Sequence, residues 1–196
     1  MKSWHVMVII ALAIFLAGCS QGEYTFEQGF KDMKKIDNRY DINFHKEKLN
    51  GTMVNLELVN DVLQDLESLQ RKVQQKKGPE VQDVVGLLEA RMEMIESQRY
   101  WILAKMIGPR GVTRDGFACS DAPYVREASL YYAQSWQHAI DAQRILDEIL
   151  ARNQATWEII GTDQEKPDFY RSRLDYISDD VQFNAQNMLD ACKIQI

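Results

Sequence analysis

The fold is decided by residues 73–85, which read VQQKKGPEVQDVV. On their N-terminal side, apolar residues at three- and four-residue steps predict a helix from about Met53 to Lys77, whose basic end suits the negative pole of the helix dipole. Gly78 and Pro79 end this helix, and Pro79 is well placed in the first turn of the next one. Because only two residues separate the two long helices, we expect them to form an antiparallel hairpin.

Further helices follow from the same periodicity. The second helix runs to Gly108, a third begins at Ser120 or Asp121 and ends near Arg152, and a last one has Pro167 in its first turn. The predicted inner faces are Leu56, Val59, Leu63, Leu66, Leu69 and Val73 on the first helix; Val81, Val84, Val85, Leu88, Met92, Ile95 and Ile102 on the second; Val125, Ala128, Tyr132, Ser135, Ala139, Ala142, Leu146 and Ile149 on the third; and Tyr170, Leu174, Ile177, Val181, Ala185, Met188 and Cys192 on the last. The third face is rich in small side chains, so a neighbouring helix can approach it closely.

Two stretches are predicted to be irregular. Residues 108–119 contain three glycines and a proline, which oppose a helix, and their length exceeds that of an ordinary connection. Residues 153–166 form the second stretch, in which Trp157, Ile159 and Ile160 are expected to fold back as an apolar cap.

A shorter helix should precede these four. Thr25 and Gln28 have the spacing of a capping box, and Phe26, Phe30 and Met33 then fall on one face. Two interpretations remain open: the aromatic face packs on the other helices, or the helix lies in the plane of a membrane surface. We therefore predict an all-α fold, an antiparallel up-down four-helix bundle with a short extra N-terminal helix.

The first residues have the parts of an export signal. Val6–Ala17 is an uninterrupted apolar run of 12 residues, shorter than the ~20 that span a bilayer as a helix. It ends in Leu16-Ala17-Gly18-Cys19, which resembles the lipobox of prokaryotic lipoproteins. The resemblance implies that residues 1–18 are a signal peptide and that Cys19 carries a diacylglyceryl anchor, with the chain exported and held on the cell membrane or outer envelope of a prokaryote. Residues 19–52 would then be a tether that includes the short helix, and residues 53–196 the bundle domain.

Composition excludes some partners. The whole chain has a net charge of −6, and without residues 1–18, whose only charge is Lys2, it has −7. Such an acidic protein is a poor candidate for nucleic acid, which is bound through cationic contacts.

Two cysteines remain beyond the anchor. Cys119 lies just before the third helix and Cys192 in the last turn of the fourth, so an up-down bundle brings both to the same end. An exported compartment permits a disulfide, and we predict one between them.

Signatures of catalysis are absent from the sequence. It contains no Gly-x-Ser-x-Gly, His-Glu-x-x-His, phosphate loop or Cys-x-x-Cys motif. His138 and Asp141 lie at i, i+3, but a bundle metal site needs Glu at position 135, where this chain has Ser135. We predict no catalytic residue, metal or cofactor, and expect the His138 ring between Tyr131 and Ile145.

The sequence thus favours a membrane-anchored envelope lipoprotein, not an enzyme, that binds or spaces another molecule through a helical module. The alternative is a ligand-responsive or enzymatic helical domain with a dispersed site. The best candidate contact for a protein partner is the long loop, where Arg110, Arg114 and Phe117 offer two cations and an aromatic ring on an acidic protein.

Overall fold

The computed structural model describes residues 23–42, 55–107, 112–113, 116–117, 122–160 and 190. Its elements are four α-helices and one short β-hairpin. The helices are α1 (Phe26–Arg39), α2 (Leu56–Gln74), α3 (Val81–Ile107) and α4 (Ala122–Ile160), and the strands are β1 (Val112–Thr113) and β2 (Gly116–Phe117). The predicted all-α class is confirmed for this part of the chain, with helix packing on helix.

Helix α1 begins at the predicted capping box. The Gln28 backbone N–H donates to the Thr25 hydroxyl over 3.3 Å, and the Thr25 N–H donates to Gln28 Oε1 over 3.2 Å. Phe26, Phe30 and Met33 are buried in the core that α1 shares with the other three helices. The packed interpretation of α1 is therefore correct, and the interfacial one is wrong, since the apolar face is already covered by protein.

The connection between α2 and α3 is longer than predicted. The first helix ends at Gln74 and the second begins at Val81, so Pro79 lies before the helix and not in its first turn. The Lys77 carbonyl accepts a hydrogen bond from the Tyr24 N–H over 3.0 Å. Gly78 has a φ of +155°, and a Cβ there would lie 2.7 Å from the Tyr24 carbonyl oxygen. The connection is thus shaped to receive the segment that enters α1.

Contacts between α1 and its neighbours define its direction. It meets α3 in the same order along both helices, with Phe26 near Glu80, Gly29 near Val84 and Asp37 near Arg91. It meets α2 in the reverse order, with Tyr24 near Lys77 and Arg39 near Asp65. Helix α1 therefore runs alongside α3 and opposite to α2.

The largest helix interface joins α3 and α4. Contacts pair the beginning of α3 with the later part of α4, in the order Asp83 with Arg152, Glu93 with His138 and Ser97 with Ser135. The two helices therefore run in opposite directions. The predicted inner face of α4 is confirmed at seven positions, all buried: Ala128, Tyr132, Ser135, Ala139, Ala142, Leu146 and Ile149.

Helix α4 is longer than predicted. The predicted end near Arg152 coincides with a kink at Asn153, whose φ of −132° and ψ of 27° are non-helical, and a second helical segment continues from there to Ile160. The irregular structure predicted for Trp157, Ile159 and Ile160 is wrong, since these residues are helical. No glycine or proline occurs between Asn153 and Ile160, so nothing in the local chemistry stops the helix before Gly161.

The loop after α3 contains regular structure that the sequence did not predict. Val112 pairs with Phe117 and Thr113 with Gly116 in an antiparallel two-residue ladder. The predicted helix that starts near Pro167 lies outside the described residues, apart from Asp190, which is helical.

Candidate functional site

Most residues that the sequence singled out for function lie outside the part of the chain that the structure describes. These are Cys19, Arg110, Arg114, Cys119 and Cys192. The exception is Phe117, whose backbone belongs to β2. The hairpin joins the end of α3 to the start of α4, so it lies at the end of the body opposite to Tyr24.

A hydroxyl pair lies in the α3–α4 interface. The Ser135 Oγ donates to the Ser97 carbonyl oxygen over 2.8 Å, and the two hydroxyl oxygens are 3.3 Å apart. Both residues are fully buried. Ala139 and Ala142 continue the same face of α4. This line of small side chains lets the two helix backbones approach closely, as predicted from the sequence of α4.

A carboxylate–imidazole contact between Glu93 and His138 also joins these helices. The Glu93 Oε2 lies 2.6 Å from His138 Nδ1, and each side chain is a little over a quarter exposed, at 27% and 28%. The His138 ring stacks on Tyr100, with ring centroids 5.2 Å apart and planes inclined by 8°. The predicted interfacial position of His138 is confirmed, and the place of its ring between Tyr131 and Ile145 stays a prediction. The ring leans across the interface because a carboxylate and a flat aromatic face both lie on α3.

Aromatic and charged groups extend this cluster. Tyr100 also meets Tyr131, at a centroid distance of 6.0 Å, and the Arg99 guanidinium carbon lies 5.0 Å from the Tyr100 ring centre. Desolvation raises the pKa of the Tyr131 hydroxyl, and its hydrogen bond to Glu127 raises it further. Tyr131 therefore stays neutral near physiological pH and acts as a hydrogen-bond donor.

A buried ion pair joins α1 to α3. Arg91 Nη2 lies 3.0 Å from Asp37 Oδ2, and the two side chains are only 3% and 2% exposed. Lys34 approaches the same carboxylate oxygen at 3.5 Å from the solvent side. Such a pair is costly to desolvate and fixes which surfaces meet, because neither charge tolerates losing its partner.

A second cluster closes the other end of the α3–α4 interface. Asp83, at the start of α3, accepts a hydrogen bond from Arg152 Nε over 2.9 Å and another from the Asn153 side-chain amide. Asp83 is buried, and both donors come from the turn of α4 that contains the non-helical residue. The irregular backbone at Asn153 is thus tied to a specific acceptor on α3.

The polar groups described here join helices to one another, with Asp37 bonded to Arg91 between α1 and α3 and Asp83 bonded to Arg152 between α3 and α4. His138 has a carboxylate partner, as a general base would, but within the described contacts its ring meets no serine, threonine or cysteine side chain. In the ranges that the structure describes, no three His, Cys, Asp or Glu residues form a group that could hold a metal ion. The same residues include no helix that is long and apolar enough to span a bilayer.

Five large apolar side chains are exposed in the described part of the chain. Met106, at 59% exposure, is near the end of α3, and Leu130, at 50%, is in the first turns of α4. The others on α4 are Tyr124, Trp136 and Ile140. Met106, Tyr124 and Leu130 lie toward the hairpin end of α3 and α4, and Trp136 and Ile140 lie near the middle of α4.

Sequence analysis missed the buried polar residues of α3, namely Asp83, Arg91, Ser97 and Gln98. Apolar periodicity identifies a buried face from its apolar residues alone, so it does not identify polar residues on the same face. The sequence does contain one indication of this. Arg91 is three residues after Leu88 and four before Ile95, so it lies on the apolar face of α3, where a charged side chain requires a partner.

No family model, curated protein or solved structure matches this chain. The function has to be argued from its own residues.

Proposed function

We propose that this chain is a prokaryotic lipoprotein, exported and held on a membrane through a diacylglyceryl group on Cys19, with a helical body that binds a protein partner and carries out no catalysis. The sequence Leu16-Ala17-Gly18-Cys19 directly after a 12-residue apolar run supports the anchor. Two acyl chains suffice for stable attachment, whereas one chain is marginal.

The burial of α1 is the observation that carries this proposal. Phe26, Phe30 and Met33, the apolar face that follows the lipobox most closely, are packed inside the protein. That face is therefore not available to insert into a bilayer. An acyl group on Cys19 is an attachment that is compatible with the sequence and with the packing of α1.

Expression of the full gene in a bacterial host tests the anchor. The wild-type protein should partition into the detergent phase, and its N-terminal peptide should have the mass of a diacylated cysteine. Cys19→Ser should remain unprocessed or enter the aqueous phase, whereas Cys119→Ser, which lacks the proposed disulfide but keeps Cys19, should be acylated and partition like wild type. A wild-type protein that is water-soluble and begins at a residue other than Cys19 refutes the proposal.

The finer architecture also belongs to the proposal. We take the body to be an antiparallel up-down four-helix bundle with α1 as a short extra helix, in which α2, α3 and α4 are followed by a helix from about residue 167 to 192. The amphipathic sequence of that segment supports this arrangement, as do the opposed directions of α3 and α4.

A Cys119–Cys192 disulfide follows from that arrangement. It would close a loop of about seventy residues and stabilise the fold by about 4 kcal/mol in the chain-entropy model. Thiol labelling of the unfolded, unreduced protein tests it: neither cysteine should react before reduction. Full labelling without reduction would rule the bond out.

For the partner we propose the end of the body that carries the hairpin. Arg110, Arg114 and Phe117 offer cations and an aromatic ring, and the exposed Met106 and Leu130 lie on the helices that enter and leave the same region. Aromatic, methionine and arginine side chains are typical of protein interfaces, which supports a protein with an acidic rim around an apolar centre as the partner.

Cross-linking in membranes tests this surface. Replacing Arg110 and Arg114 with alanine should abolish a specific cross-linked product, and replacing Arg71 and Arg144, two exposed arginines away from the hairpin, should leave it intact. Equal yields from both double variants would mean that the loop only connects α3 to α4.

A ligand-responsive or enzymatic body is the second candidate, and one observation favours it. The Glu93–His138 pair is partly exposed and bordered by Tyr100, a composition that suits a polar ligand. Native mass spectrometry of the purified protein distinguishes the two: a stoichiometric small molecule, lost in Glu93→Gln, would favour the second candidate.

A further inference from the structure

The residues that lead into α1 are held at one end of the body by several hydrogen bonds. The Tyr24 N–H donates to the Lys77 carbonyl over 3.0 Å, and the Phe26 N–H donates to Glu80 Oε2 over 2.8 Å. The Tyr24 hydroxyl donates to Asp32 Oδ2 over 2.9 Å. The entry of the chain is therefore held against the connection between α2 and α3.

Covalent geometry limits how far this end can be from Cys19. Glu23, the first described residue, is four residues after Cys19. At ~3.6 Å per residue, a fully extended chain covers about 14 Å between them. If Cys19 is acylated, as the proposed function requires, the entry end of the body must lie within that distance of the lipid surface.

From Lys72 to Pro79 the exposed charges are all positive. Lys72, Lys76 and Lys77 are all exposed at the end of α2, beside the docked Tyr24. Glu23 is an exposed carboxylate at the same place. The local balance is therefore opposite in sign to that of the whole chain, which has a net charge of −6.

The other carboxylates near this end are engaged with protein groups. Glu80 accepts from the Phe26 N–H, Asp32 accepts from Tyr24 and Lys35, and Asp83 accepts from Arg152. Glu27, an exposed carboxylate in the first turn of α1, pairs with Lys31. Lys72, at the end of α2, and Lys76 and Lys77, just after it, are all exposed.

We propose that Tyr24, Lys72, Lys76 and Lys77 form an anchor-end surface that lies on anionic lipid headgroups. The inference rests on the proposed lipid anchor and adds an orientation to it. Helix α3 starts at this surface and has 27 residues, so its far end projects about 40 Å from the membrane at 1.5 Å per residue. The hairpin and the exposed Met106 are thereby held away from the bilayer.

The anchor and the lysines have different roles. The acyl chains supply the attachment, and the lysines select which side of the body faces the lipid. Attraction to an anionic surface is about fivefold per lysine, equivalent to about 1 kcal/mol, and it decays over a Debye length of about 10 Å. Only cations held close to the surface contribute, which is what the short tether provides for these three.

The lysines themselves can report the orientation. The full-length lipidated protein is placed in vesicles of phosphatidylcholine with phosphatidylglycerol, in vesicles of phosphatidylcholine alone, and in detergent. A membrane-impermeant amine-acylating reagent is applied, and the modification rate of each lysine is read by peptide mass spectrometry. Lys76 and Lys77 should react about fivefold more slowly on the anionic vesicles than in detergent. Lys105, 24 residues beyond Val81 in α3 and thus about 36 Å away, should react equally in both.

Two double variants, each of which removes two positive charges, distinguish the effect of charge near the tether from the effect of the total charge of the protein. In Lys76→Gln/Lys77→Gln, the remaining Lys72 should lose its protection. In Arg39→Gln/Arg126→Gln, which removes two exposed cations far from the tether, Lys72 should stay protected.

The outcomes distinguish this inference from the proposed function. A wild-type N-terminal peptide without acyl mass refutes the proposed function, and the orientation with it. A properly acylated protein whose Lys76 and Lys77 react as fast on anionic vesicles as in detergent refutes the orientation alone. Equal protection on neutral and anionic vesicles also overturns it, because the tether would then act without the lysines.

Discussion

The buried pair of Asp37 and Arg91 makes a demanding prediction about stability. Replacing Arg91 with methionine preserves much of the side-chain volume but removes the guanidinium that lies 3.0 Å from a carboxylate only 2% exposed. Removing one partner of a buried ion pair costs about 3–5 kcal/mol, because the other charge stays in a poorly solvated place. That is a large share of the ~5–15 kcal/mol that stabilises a typical domain.

Urea unfolding followed by circular dichroism measures this loss. With a slope of about 2 kcal/mol per molar urea, the midpoint for Arg91→Met should fall by about 1.5–2.5 M. The double variant Asp37→Leu/Arg91→Met should recover most of the loss, since an apolar pair of similar volume avoids the desolvation of both charges. The recovery distinguishes loss of a charge partner from poor packing of methionine.

An exposed ion pair within α1 serves as the control. Lys31 and Glu27 lie 2.5 Å apart with side chains 67% and 54% exposed, so Lys31→Met should cost at most about 1 kcal/mol. If Arg91→Met lowers the free energy of unfolding by no more than Lys31→Met does, the buried pair of Asp37 and Arg91 does not stabilise the fold as its burial indicates. A fall in the slope as well as in the midpoint would mean that α1 detaches before the rest unfolds.

Two further predictions use the same assay. Gly29→Ala should destabilise by about 1–3 kcal/mol, because the new methyl group would clash with Val84 where α1 crosses α3, and adding Val84→Ala should restore most of the loss; failure of that rescue would place the strain elsewhere. Ser129 and Ser135 are both buried. The Ser135 hydroxyl donates to the Ser97 carbonyl oxygen, whereas the Ser129 hydroxyl has no hydrogen-bond partner among the described residues. Ser129→Ala should therefore stabilise by up to about 1 kcal/mol and Ser135→Ala should destabilise by about 1 kcal/mol, and equal effects would contradict the assignment.

The inner face of α4 could be predicted because its signal is local. Ala128, Ser135, Ala142 and Ile149 recur at seven-residue intervals, and this spacing places them on one side of the helix whatever the partner is. The capping box at Thr25 was predictable for the same reason, since both of its members lie within one turn.

The ion pair and the stacked histidine could not be predicted in this way. Asp37 and Arg91 are 54 residues apart, and Glu93 and His138 are 45 apart. Which carboxylate meets which cation depends on the register between two helices, and that register is set by packing along their whole length. The kink after Arg152 was predictable from the end of the apolar periodicity, but the second helical segment beyond it and the bond from Asn153 to Asp83 were not.

The direction of α1 links its buried contacts to the proposed function. Because α1 runs alongside α3 and is held to it by Phe26 with Glu80 and by Asp37 with Arg91, the closeness to the lipid that Cys19 imposes on α1 extends to the start of α3. Helix α3 in turn positions the hairpin end. If α1 detached from α3, the lysines would no longer be held close to the lipid and could not select which side of the body faces it. The buried ion pair thus acts on orientation as well as on stability: Arg91→Met, at a urea concentration where the rest of the body is still folded, should weaken the protection of Lys76 and Lys77 on anionic vesicles while leaving acylation of Cys19 unchanged.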